Sequence, residues 1–260
     1  MQNDFNSKVL VTILGCGCSS GVPIIGCNCN VCKSDDIKNK RFRSAIFVQY
    51  QGINILIDSG PDIKHQLLKA NVKKIDYLII THQHYDHVSG LNELRSMKRA
   101  KDIILIARKQ VIEHLMFYYS YVFSFDKYKQ TIITKNIEDY DEFDIGNLKL
   151  DTFLTYHAQK QNINNIGIKI NNFIYANDIS SIPENSLKYF YNLDILMLDC
   201  KNYKDTNIHI GLETVLKWNI EFKPKKIILT NMSHQFDYNK LVKELPNNII
   251  PAFDNMQFKI

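Results

Sequence analysis

The 260-residue chain predicts a layered α/β sandwich of mixed β-sheets. Three observations carry that prediction. Short β-branched runs alternate with helical patterns from end to end. Hairpin signals lie among them, which argues against a purely doubly wound sheet. Polar residues (Asp58, Thr81 onward, His157, Asp178, Asp199, Asn231) gather where the apolar runs stop, the place where α/β folds assemble sites from loops. Neither a low-complexity linker nor a solenoid-length repeat divides the chain, so a single domain over 1–260 is expected.

The elements follow in order. Val9–Leu14 reads as a strand running into a Gly-rich loop. Ser44–Tyr50 and Ile53–Asp58 read as a hairpin around Gln51-Gly52. Ile63–Ala70 has helical periodicity, Tyr77–Thr81 reads as a buried strand, and Gly90–Lys98 as a helix. Ile103–Ala107 is a strand and Lys109–Tyr121 a helix. Leu148–Thr155, Ile166–Ile170 and Phe173–Ala176 are strands. Ile195–Asp199 and Lys226–Thr230 read as buried strands flanking a helix, Leu212–Trp218. Tyr238–Glu244 is a helix, and a strand near Gln257 completes the series.

Composition excludes several classes. Hydrophobic residues make up 45% and charged residues 23%, ordinary for a globular protein. The net charge of +5 favours an anionic substrate but is too scattered to argue for nucleic acid. No apolar run reaches the ~18 residues that a membrane helix needs. Met1–Phe5 lacks a signal pattern, so a cytoplasmic protein is expected. Cysteines in such a chain are metal ligands or core residues rather than disulfides.

The sharpest signal is Thr81-His82-Gln83-His84-Tyr85-Asp86-His87, directly after a short apolar strand. Imidazole and carboxylate are preferred ligands of divalent transition metals. His82 and His84 are two apart, so on extended backbone they point the same way. Asp86 and His87 follow as the chain turns, so one loop can feed two neighbouring metals. A second cluster, Cys27-Asn28-Cys29-Asn30-Val31-Cys32, places three thiols in six residues. With one histidine these make a closed tetrahedral zinc site, a structural loop at about 26–33.

The His-x-His-x-Asp-His pattern resembles the signature of the metallo-β-lactamase superfamily. That resemblance implies a four-layer αββα sandwich of two mixed β-sheets. It also implies two catalytic divalent metals, zinc or manganese. His82, His84 and His157 would hold one of them, Asp86 and His87 part of the other, with Asp178 bridging and Asp58 orienting a ligand. Asp86 is thereby a catalytic candidate as well as a ligand. A turn or capping role is the competing reading of Asp58.

The stretches Leu14–Pro23, Asn39–Ser44, Leu196–Cys200, Leu229–Asp237 and Phe253–Met256, together with the thiols, are similar to one branch of that superfamily. It contains the phosphoribosyl 1,2-cyclic phosphate phosphodiesterases of phosphonate breakdown. Almost the whole chain is covered. The resemblance implies that Cys27, Cys29, Cys32 and His234 hold a structural zinc and that His209 is a general acid. Cys16 and Cys18 read as non-ligands. Arg41 and Arg43 are candidates for a substrate phosphate, with a structural ion pair as the alternative. Asn231 stands where that branch has a metal-binding histidine, so it is a weaker amide ligand in the expected set.

The expected function is therefore a metal-dependent hydrolase, a phosphodiesterase for a small cyclic or nucleotide-like phosphodiester attacked by metal-bound hydroxide. Two alternatives stand beside it: a tRNA 3′-processing endonuclease, and a zinc-stabilised binding protein whose second metal site has decayed. The expected partner is a small phosphodiester substrate, not nucleic acid or membrane, and a homodimer follows by analogy.

Overall fold

The computed structural model describes residues 8–95, 97, 102–123, 132–157 and 163–260. The first residues and the end of the Gly90–Lys98 helix lie outside the described residues. Strands fall into two seven-stranded sheets. Each sheet belongs to its own compact unit.

The first unit takes the described residues of Met1–Leu14, Ala45–Glu138 and Asn255–Lys259. Its strands in chain order are β1 (Leu10–Gly15), β2 (Ala45–Tyr50), β3 (Ile53–Ile57), β4 (Tyr77–Ile79), β5 (Ile103–Arg108) and β6 (Ile132–Ile137). The second unit takes Gly15–Ser44 and the described residues of Asp139–Asp254. It holds β7 (Glu142–Ile145), β8 (Leu148–Tyr156), β9 (Asn164–Ile170), β10 (Phe173–Ala176), β11 (Ile195–Asp199), β12 (Lys226–Thr230) and β13 (Ile249–Pro251). The last strand, β14 (Gln257–Lys259), returns to the first sheet beside β1.

Both sheets mix directions, as the hairpin signals imply. In the first, β2 and β3 are antiparallel, joined through Gln51 (φ 47°) and Gly52 (φ 80°). Two positive φ values make the tight turn whose twist suits a hairpin. β3, β4, β5 and β6 then run parallel. In the second sheet β7 to β10 are antiparallel and β10 to β13 parallel. β8 therefore points the same way as β10, β11 and β12. The residues following all four leave one edge of the sheet together.

The parallel strands are buried on both faces, which is why their sequences are unbroken apolar runs. β11 (Ile-Leu-Met-Leu-Asp) and β12 (Lys-Ile-Ile-Leu-Thr) are buried over their last four residues. In the first unit Leu56, Leu78, Leu105, Leu91 and Val111 join one apolar core beneath the helices Ile63–Lys69, Leu91–Arg95 and Lys109–Tyr118. Gly90 is obligatory there, because a Cβ would run into the Gly60 carbonyl and the Ile63 side chain. No helix among the described residues is long and apolar enough to cross a membrane.

Candidate metal centre

The first unit presents the histidine loop at the end of β4. β3 and β4 are registered Ile57 against Ile79, so Asp58 and the loop after Ile80 leave the sheet side by side. Asp58 turns sharply (φ 65°), a conformation that Asp tolerates better than most residues. Its carboxylate accepts from the Thr81 N–H at 2.9 Å and the Thr81 hydroxyl at 3.0 Å, and contacts His87 Nδ1 at 2.8 Å. Asp58 thus fixes the loop and aims His87, leaving Nε2 outward for a ligand role. The extended-segment geometry expected for His82 and His84 holds: Nε2 of one lies 3.0 Å from Nδ1 of the other. Asp86 lies 3.4 Å from His87 Nε2.

The second unit presents its own cluster at the shared edge of β8, β10, β11 and β12. His157, Asp178 and His209 offer ligand atoms within 4.8 Å of one another, and all three are buried. His157 Nδ1 donates to the Ile208 carbonyl at 2.8 Å, which makes Nε2 the ring nitrogen with the lone pair in the neutral imidazole. Burial, above all, lowers the His157 pKa below its ordinary value, which keeps the ring neutral, as a metal ligand must be. Asp178 (φ 49°) and Asn231 (φ 59°) both take left-handed backbone directly after strands.

His209 is held between an acid and a base. Its Nδ1 is 2.9 Å from Asp199 Oδ2 and its Nε2 is 3.0 Å from the Lys201 ammonium. Burial opposes charge on this imidazole, but the Asp199 carboxylate, and Asp178 beyond it, outweigh burial and raise its pKa. Asp199 is a functional residue that sequence reasoning left without a role. Its only signal was a carboxylate closing an otherwise apolar strand.

Two expectations are corrected by contact. Asn231 points its amide nitrogen, not its oxygen, at the cluster: Nδ2 donates to Asp178 Oδ1 at 2.8 Å. It positions the carboxylate instead of offering an acceptor to a metal. Arg41 is 2% exposed, and its guanidinium donates to the Ser233 and Phe236 carbonyls and to Asn39 Oδ1. These contacts and its burial turn the guanidinium into the fold, so it does not face a phosphate. Arg43 is half-buried and donates from Nε to the Ser19 carbonyl at 3.0 Å.

The thiol cluster forms as expected within the second unit. Cys27, Cys29 and Cys32 place sulfur 3.3, 3.5 and 3.6 Å from His234 Nδ1. A tetrahedral zinc with Zn–S of about 2.3 Å and Zn–N of about 2.0 Å sets S···N near 3.5 Å, so the donor set fits that ion. The Cys29 thiol is lowered to about 6, chiefly by the Cys32 N–H, while burial pushes Cys32 up to about 11. The arms are braced: Asp237 caps the helix Tyr238–Glu244 through the Lys240 N–H at 3.0 Å and accepts from Asn39 Nδ2 at 2.8 Å. Cys16 and Cys18 are buried and stand outside this cluster, Cys16 against Asp254.

Comparisons with known proteins place the chain in a family. The model of the beta-lactamase superfamily domain matches residues 53–232. The chain superposes on a crystal structure described as a new diphosphatase from the PhnP family, with a TM-score of 0.90, 29% identity and 97% of each chain covered. It is 27% identical to an octanoyltransferase of Porphyromonas gingivalis over 94% of this chain and 50% of that protein. It is also 30% identical to ribonuclease Z of Sulfurisphaera tokodaii over 46% of this chain and 41% of that protein. The chain thus spans half or less of the length of these two curated relatives.

Proposed function

We propose that this chain, which belongs to the beta-lactamase superfamily, is a metal-dependent hydrolase, specifically a phosphodiesterase acting on a small phosphodiester. The observation that carries this reading is the Asp199–His209 pair beside His157 and Asp178. An alkoxide is a poor leaving group, so breaking a phosphodiester needs a proton delivered to the departing oxygen. A histidine with raised pKa, fixed through Nδ1 by a buried carboxylate, is suited to that task from Nε2.

Divalent ions held by the two clusters, in the family's ligand order, would supply an activated water and neutralise charge on phosphorus. The side chains do the remaining work. Asp58 aims His87, the Ile208 carbonyl aims His157, and Asn231 holds Asp178. His209 gives its proton to the leaving oxygen and is neutral afterwards, with Asp199 keeping Nδ1–H in place. Cys27, Cys29, Cys32 and His234 form a closed set suited to a structural zinc, which takes no part in the reaction.

The test is turnover of bis(p-nitrophenyl) phosphate with and without added manganese, beside Asp86→Ala. Metal-stimulated turnover that the variant loses supports the reading. A folded protein inert with every divalent metal refutes it. A second reading, tRNA 3′-end cleavage, is favoured by the similarity to ribonuclease Z. Cleavage of a precursor tRNA faster than of small diesters would put that reading first.

A further inference from the structure

We propose that Lys201 marks the leaving-group side of the site and selects leaving groups that carry their own negative charge. The inference rests on the phosphodiesterase reading and deepens it. His209 uses Nδ1 for Asp199, so Nε2 is the atom left to meet a departing oxygen. The Lys201 ammonium lies 3.0 Å from that nitrogen, on the side from which a departing oxygen would reach it. Its backbone is pinned on both sides: the N–H donates to Ile210 and the carbonyl accepts from Ser233. Among the described residues no carboxylate pairs with this ammonium, whereas Lys74, Lys149 and Lys225 each have one within 2.7 Å.

An ammonium has three donors; one meets His209 Nε2 in this geometry, and that nitrogen carries its proton only once an anion on the substrate has drawn the ammonium off it. A half-buried cation that lacks an anionic partner, beside the proton donor, is satisfied by an anion arriving with the substrate. In the step itself the bond from phosphorus to the leaving oxygen breaks and that oxygen keeps the electron pair. It takes the proton from His209 Nε2 while the oxygen of water bonds to phosphorus, and the proton that this water gives up passes to solvent. The ammonium contacts neither bond. It holds a carboxylate or phosphate substituent on the departing group.

The experiment compares two diesters, methyl 4-nitrophenyl phosphate and methyl 3-carboxy-4-nitrophenyl phosphate. They release phenols of similar acidity, only one of which is anionic through its substituent. Wild type should favour the carboxylated ester in kcat/KM by about tenfold, the scale of one charged hydrogen bond. Lys201→Met should bring the ratio near one, and Lys201→Arg should keep it. A ratio that Lys201→Met leaves unchanged, including an equal loss on both esters, overturns the inference and leaves Lys201 as a support for His209. Turnover of neither ester by the metal-loaded wild type overturns the phosphodiesterase reading itself, and this inference with it.

Discussion

The cysteine cluster and the cluster around His209 lie in the same unit, yet they are built on opposite plans. Around Cys27, Cys29, Cys32 and His234 every donor converges on one point, with three sulfurs 3.3 to 3.6 Å from one nitrogen. Around His157, Asp178 and His209 the ligand atoms also come within 4.8 Å of one another, but the donors are carboxylate and imidazole groups tied sideways to the protein. The Ile208 carbonyl holds His157, the Asn231 and Asn177 amides hold Asp178, and Asp199 and Lys201 hold His209. A convergent set leaves an ion no coordination position for substrate. A set of carboxylate and imidazole groups held through second contacts is suited to orienting a reactive ion and handing protons on. The contrast separates structural from reactive metal chemistry without reference to any relative.

That contrast can be broken at either end. The largest effect should come from Cys32→Ala, since a structural ion contributes folding energy directly. Zinc content should fall by about one equivalent, and the melting temperature should drop steeply or the protein become insoluble. A variant with wild-type melting and zinc content would show that the thiols hold nothing structural. Asp199→Asn should be next, costing about 10²–10³ in kcat with little change in melting temperature.

The same variant gives a pH test. His209 must be protonated to act, and Asp199 raises its pKa, so activity is lost as pH rises through that value. Removing the carboxylate should move the alkaline limb to lower pH. A limb that stays in place would assign it to another group. Asn231→His should sharpen the reactive side, because it replaces a hydrogen-bond donor to Asp178 with a metal ligand. The predicted readout is tighter binding of the second metal, about tenfold by titration, whether or not turnover rises. The smallest effect belongs to Asp237→Ala. Loss of this N-cap should cost about 1 kcal/mol, or about 2–4 °C in melting temperature.

Much of this was legible in the chain. β10, β11, β12 and the helix Tyr238–Glu244 appear with the predicted limits, because buried parallel strands leave unbroken apolar runs and Asp237 is a clear N-cap. β6 and β7 were missed. Ile132–Ile137 buries only its end residues fully, and Glu142–Ile145 only Ile145, so neither shows the alternation of a half-buried strand. The helix after Gly211 runs one turn past Trp218, stopping where Lys223 turns left-handed at φ 49°. Trp218 is half-buried and packs edge-on to Phe190, rather than filling the core.

At the site, residue types were readable and their directions were not. His82, His87, His157 and Asp178 follow the strands that precede them in the sequence, and His209 lies in the loop ahead of the helix that starts at Leu212. Nothing in the sequence told that Arg41 turns inward to Ser233 and Phe236, or that Asn231 presents nitrogen to Asp178. Hydrogen-bond polarity depends on neighbours distant in sequence, and a motif does not record them.

The most direct test follows bis(p-nitrophenyl) phosphate turnover and melting temperature together as a chelator is titrated into the purified protein. The two plans predict two separate events. Turnover should vanish first and return with manganese or zinc while the fold is unchanged, and the melting temperature should fall only when the thiolate-held ion is stripped. Loss of both at one chelator concentration would contradict the division into a closed structural site and an open reactive one. Turnover that survives full stripping would contradict metal-dependent hydrolysis altogether.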